Sequence, residues 1–219
     1  MSTLSYHTPN HQQRAFARTN AQTIRQRVAL MRELLPPPQA IAEICCGDCR
    51  RQRDAYTAAF PHIRYTGLDI DAQVVAANRA RGITCAQGDA LDPAALAPLL
   101  PVDLLFFGPP LSVSCDGHTP LAFRQVTPGY LPFAQLLFGQ LQFAGTLVCI
   151  CPNTTTLGDA RWLYTHIRQL RPDAGLRLIH HSYATRTGND EPTPLRHKYV
   201  ELWFSPILND AWELRISEA

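Results

Sequence analysis

The chain has 219 residues, 46% of them apolar and 9% aromatic, which is enough for one domain with a substantial core, short for two, and incompatible with wholesale disorder. No apolar run reaches the roughly 18 residues of a membrane span, and the polar start MSTLSYHTPNHQQRAF lacks the apolar stretch of a secretory signal, so a cytoplasmic protein is expected. The formal net charge of +2 is unevenly spread: residues 1–35 carry Arg14, Arg18, Arg25, Arg27 and Arg32 against Glu33 alone.

All basic residues except Lys198 are arginine. Phosphate recognition favours that choice, and so does a GC-rich genome, which is the plainer explanation. Five of the seven cysteines, Cys45, Cys46, Cys85, Cys149 and Cys151, fall inside apolar runs or at their ends. They read as small buried hydrophobes of a reduced protein rather than as a disulfide framework.

In chain order, Ile24, Val28, Met31 and Leu35 recur at helical spacing over 20–35, and Pro36-Pro37-Pro38 stops that helix. AIAEICC (40–46) predicts a strand ending in a turn at Gly47-Asp48, followed by a helix over 50–59. RYTGLDI (64–70) is a second strand. Asp71 then caps a helix carrying Val74, Val75 and Asn78, with Gly82 as its stop. ITCAQGD (83–89) is a third strand, and DPAALAPLL a short helix opened by proline. VDLLFFG (102–108) is a run expected of a strand buried on both faces. A loop over 109–127 leads to a helix over 130–143, then a fifth strand (145–151) and a helix over 159–170. Two last strands, 175–184 and 197–205, are joined by the polar loop TRTGNDEPTPLR and followed by a tail over 206–219.

Alternating strands and helices predict a three-layer α/β sandwich: a seven-stranded, mostly parallel sheet whose last strand is antiparallel. Residues 1–35 form an N-terminal segment and helix, 36–219 the sheet domain, one domain overall.

Open parallel sheets bind ligands at the carboxyl ends of their strands. The groups expected there are Glu43 to Cys49, Asp69 with Ile70, Asp89 with Ala90, and Gly108-Pro109-Pro110. This series resembles the class I S-adenosylmethionine-dependent methyltransferases, over roughly 38–205. In that family the first strand ends in acid-x-Gly-x-Gly-x-Gly. Here it is Glu43-Ile44-Cys45-Cys46-Gly47-Asp48-Cys49, so only the middle glycine remains. Such a turn needs close backbone approach and a tight bend, and Gly47 alone is expected in the strained conformation.

The resemblance implies a Rossmann-like fold and S-adenosylmethionine as cofactor. Asp69 would accept the ribose hydroxyls, and Asp89, in Gln87-Gly88-Asp89-Ala90, the adenine amine. Glu43, Cys45, Gly47, Cys49, Ile70, Ala90 and Gly108 are assigned to the same cofactor surface. Phe106-Phe107-Gly108-Pro109-Pro110-Leu111 resembles the Asp/Asn-Pro-Pro-aromatic signature of amino-methylating enzymes, with Gly108 in place of the acceptor side chain and Leu111 in place of the aromatic. Pro109, Pro110, Leu111 and Tyr130 are candidates for acceptor binding.

The next stretch holds Asp116 and His118, a candidate base and its orienting carboxylate. An ordinary Asp-Gly turn beside an exposed histidine is the other reading. No metal is expected: the cysteines include no duplicated Cys-x-x-Cys pair and the histidines are scattered.

An active methyltransferase acting on a nitrogen or oxygen nucleophile of a nucleic acid or small metabolite is therefore expected, with the 14–32 arginines and the 186–198 loop flanking the cleft. The Gly108 and Leu111 substitutions keep a non-catalytic binding or scaffold subunit open, and the oligomeric state with it. A nicotinamide-dependent oxidoreductase would need the intact glycine turn that is missing.

Overall fold

The computed structural model describes residues 21–108, 130–150, 165–166, 168–173, 175–186 and 192–217. Its strands are Ala40–Ile44 (β1), Arg64–Asp69 (β2), Cys85–Gln87 (β3), Leu104–Phe107 (β4), Leu147–Ile150 (β5), Gly175–Arg186 (β6), Pro192–Ser205 (β7) and Ala211–Ser217 (β8). They form one sheet in the order β3-β2-β1-β4-β5-β7-β6-β8. The first five pair in parallel, and β7 runs antiparallel to both of its neighbours.

The seven expected strands are all present, and an eighth is added. The stretch expected as a tail contributes β8, which pairs parallel with β6 from Arg177↔Ala211 to Tyr183↔Ser217. Its sequence alternates Trp212, Leu214 and Ile216 with Glu213 and Arg215, the period-2 pattern of a strand. The polar loop is also shorter than expected, because β7 begins at Pro192. The ladder reaches Arg186↔Pro192, with a register shift between Tyr183 and Thr185. Pro192 and Pro194 are tolerated there, at a hairpin end beside an irregularity.

The helices are Ala21–Leu34 (α1), Arg50–Ala59 (α2), Ala72–Ala80 (α3), Pro93–Leu96 (α4) and Tyr130–Ala134 (α5). Asp71 caps α3 by accepting from the Gln73 and Val74 amides, and Asp92 caps α4 by accepting from Ala94. Gly82, at φ +71°, follows α3 as its stop. The predicted 130–143 helix continues past α5 as a wider π-helical turn, Gln135–Gln140. Of the predicted 159–170 helix, residues 165–166 and 168–170 are helical, and 151–164 lie outside the described residues.

Strand residues alternate between two apolar layers. Ala42, Ile44, Leu105, Phe107, Val148 and Leu202 pack with Phe133, Leu137 and Phe143 on one face. Ile41, Phe106, Cys149 and Trp203 pack with Met31, Tyr56 and Val75 on the other. This double burial makes the central strands read as unbroken apolar runs.

Candidate functional site

At the carboxyl end of β1 the chain turns through Cys45 (φ +58°) and Gly47 (φ +54°) before entering α2. Glycine takes that conformation freely. For cysteine it costs about 1–2 kcal/mol, so the expectation that Gly47 alone is strained is corrected. Three hydrogen bonds hold the turn: Cys46 N–H to the Leu68 carbonyl at 3.0 Å, Gly47 N–H to Asp69 Oδ2 at 2.9 Å, and Asn78 Nδ2 to the Gly47 carbonyl at 2.8 Å. Asp48 is buried beneath it, paired with Arg81 at 3.5 Å.

Asp69, the last residue of β2, accepts from Gly47 through one carboxylate oxygen and from the Asp71 amide through the other, at 3.0 Å. A carboxylate offers two acceptor oxygens and no donor. Burial raises the Asp69 pKa above the usual carboxylate range, against the lowering effect of its backbone hydrogen bonds. Asp89 lies beyond β3, exposed, with Oδ1 accepting from the Leu91 amide at 2.9 Å. Burial raises the Cys45 thiol, and the charges of Asp69 and Asp89 raise it further, so both carboxylates lie within electrostatic reach of that sulfur.

Ile70 and Leu91 are 44% and 41% exposed, so apolar surface sits beside each acid, while Ala90 is buried. Gly108, at the end of β4, donates to the Ile44 carbonyl at 3.3 Å. The ends of four adjacent strands thus present carboxylate acceptors, a strained small-residue turn and two aliphatic side chains on one edge. Leu91 was missed by sequence reasoning, although its place just after Asp89-Ala90 was a usable signal.

Glu43 and Cys49 are not part of that edge. Strand alternation turns Glu43 toward α2, where it is 7% exposed and accepts from Tyr65 Oη at 2.7 Å and Gln52 Nε2 at 3.2 Å. Its placement on the cofactor surface is corrected accordingly: both oxygens are engaged inside the core. Burial raises its pKa, opposed by the Arg27 charge. Cys49 is fully buried as the residue preceding α2.

Arg27 also departs from expectation. Expected among cleft-flanking cations, it is 1% exposed, bonded to Glu201 at 2.6 and 3.0 Å and to Tyr56 Oη at 2.8 Å, with its guanidinium 4.6 Å above the Phe106 ring. Arg25 remains exposed. Pro109, Pro110, Leu111, Asp116 and His118 lie outside the described residues, and Tyr130 is described only as the first residue of α5.

No family model and no curated protein matches the sequence. Solved structures match the backbone, and the chain has the Rossmann-like fold of the class I S-adenosylmethionine-dependent methyltransferases. It is similar to precorrin-6y C5,15-methyltransferase from Geobacter metallireducens, with 13% identity and a TM-score of 0.60 over 86% of this chain and 90% of that one. It is also similar to the plantazolicin methyltransferase BpumL in complex with a monoazolic desmethylPZN analogue and SAH, with 12% identity and a TM-score of 0.55 over 90% and 86%. Precorrin 8w decarboxylase from Methanobacterium thermoautotrophicum is similar at 13% identity and a TM-score of 0.54, over 86% and 91%. Among the described residues no helix is long and apolar enough to cross a membrane.

Proposed function

We propose that the chain is a methyltransferase that binds S-adenosylmethionine at the carboxyl edge and methylates a nitrogen or oxygen nucleophile of a nucleic acid or small metabolite. The observation that carries this reading is the pairing of Asp69 with the Cys45–Gly47 turn, with Asp89 following Gly88, whose amide donates to the Asp69 carbonyl at 3.0 Å. The residues present fit the cofactor. The acceptor-only carboxylate of Asp69 suits ribose hydroxyls, Asp89 suits an amine donor, and exposed Ile70 and Leu91 suit the faces of a flat ring. The SAH in the BpumL structure supports the same choice.

S-adenosylmethionine supplies an electrophilic methyl group on its sulfonium sulfur. The remaining work falls to the chain. Gly47 and Cys45 present backbone at the turn, and Glu43 joins Tyr65 of β2 to Gln52 of α2 inside the core. Pro109, Pro110, Leu111 and Tyr130 are proposed to hold the acceptor, and His118, oriented by Asp116, to take its proton. Gly108 has no side chain to accept from an amine, so acceptor positioning falls to the neighbouring residues.

The test is transfer of labelled methyl from S-adenosylmethionine to a panel of nucleotides, nucleic acids and metabolites. Incorporation into one acceptor class is expected. His118→Ala should lower turnover roughly 100-fold or more without altering cofactor affinity. Cofactor binding with no incorporation into any acceptor would point instead to a non-catalytic subunit.

A further inference from the structure

The Cys45-Cys46-x-x-Cys49 run has no part in the proposed transfer beyond shaping the turn, yet the fold brings its second cysteine against Cys85. The two sulfurs are 3.7 Å apart, and each residue is 4% exposed.

Gly67 makes this approach possible. A Cβ there would lie 2.8 Å from Cys46 Sγ and 3.3 Å from Cys85 Sγ, so any side chain on β2 at that point would push the sulfurs aside. Cys46 therefore folds over β2 toward β3. Asn78, fully buried, lies 3.8 Å from Cys46 Sγ and 3.9 Å from Cys85 Sγ through its amide nitrogen, and its Oδ1 has no hydrogen-bond partner among the described residues. The Cys85 thiol is held below its ordinary range because it accepts from Cys46, with Asn78 and the Arg79 charge adding to the effect.

We propose that Cys46 and Cys85 are an oxidisable thiol pair, a modification site for hydroperoxides, whose disulfide ties the cofactor turn to β3 and weakens cofactor binding. The second half of the proposal rests on the cofactor reading above. Chemically, the Cys85 thiolate attacks a peroxide oxygen; the O–O bond breaks and hydroxide leaves, giving a sulfenic acid. The Cys46 sulfur then attacks the Cys85 sulfur; the S–O bond breaks and the oxygen departs as water with the Cys46 proton. Two thiols lose two electrons and two protons, and hydrogen peroxide becomes two waters. The sulfurs close from 3.7 Å to about 2 Å. Cys46 sits between the two positive-φ residues, so drawing it toward β3 pulls the Gly47 amide from Asp69.

The test treats the full chain with hydrogen peroxide, maps alkylated peptides by mass spectrometry, and titrates S-adenosylmethionine before oxidation, after it, and after dithiothreitol. A Cys46–Cys85 linked peptide is expected, with affinity falling about tenfold or more and recovering on reduction. The Cys85→Ser chain should keep its affinity under peroxide. Absence of the linked peptide, a Cys46–Cys49 link in its place, or unchanged affinity in the disulfide form overturns the proposal. A reduced chain that binds no cofactor contradicts the transferase reading, while the peptide map still decides the thiol pair.

Discussion

At the residue scale, two acids from neighbouring strands have opposite fates. Asp69 ends its strand and faces the edge, while Glu43 lies one residue inside its strand and is sealed under α2. The folded pKa of Glu43 is raised above its ordinary 4.5, so its contribution to stability is complete below that pH and is lost as pH rises through the folded value. Glu43→Gln cannot titrate. Urea melts from about pH 4 to about pH 8 should therefore show the variant gaining on the parent as pH rises, and parallel curves would refute the buried-acid account. Gly47→Ala forces a side chain into φ +54° and should cost about 1–2 kcal/mol by the same melts. Gly139→Ala, where an added Cβ meets nothing within 4 Å among the described residues, should cost far less.

At the scale of elements, α1 is tied to β7 by a side chain that the sequence presents as an ordinary surface arginine. Its partner Glu201 lies 174 positions away, a pairing no helical period can reveal. Trp203 Nε1 satisfies the other Glu201 oxygen at 2.8 Å. Arg27→Met would strand a buried carboxylate and should lose about 3–5 kcal/mol in denaturant melts. Adding Glu201→Gln should recover part of that loss, and equal losses in single and double variants would contradict a true ion pair.

The Asp71 cap and the Gly82 stop were legible because each signal is local. The β8 alternation was equally visible, but a stretch expected to be a tail hid it. The fate of Glu43 was not legible. Which face a strand residue takes depends on what packs there, and the spacing from Glu43 to Asp69 is the same either way.

At the scale of the whole molecule, the order and direction of the strands carry the strand ends of β1, β2, β3 and β4 to one edge. The alternation of apolar runs with helices was enough to read that architecture, because strands buried on both faces announce themselves. The convergence of Asp69, Asp89 and the Cys45–Gly47 turn followed from it. The acceptor side did not, since Pro109 to Thr127 carries no periodic pattern to place it.

The central claim is that this edge holds an adenosyl ligand through Asp69. Calorimetric titration of S-adenosylmethionine into the parent and the Asp69→Ala chain tests it most directly. The expected result is saturable binding to the parent, weakened in the variant by about 1–3 kcal/mol, the loss of a charge-assisted hydrogen bond. Equal affinity in both chains, or no binding to the parent, would contradict it.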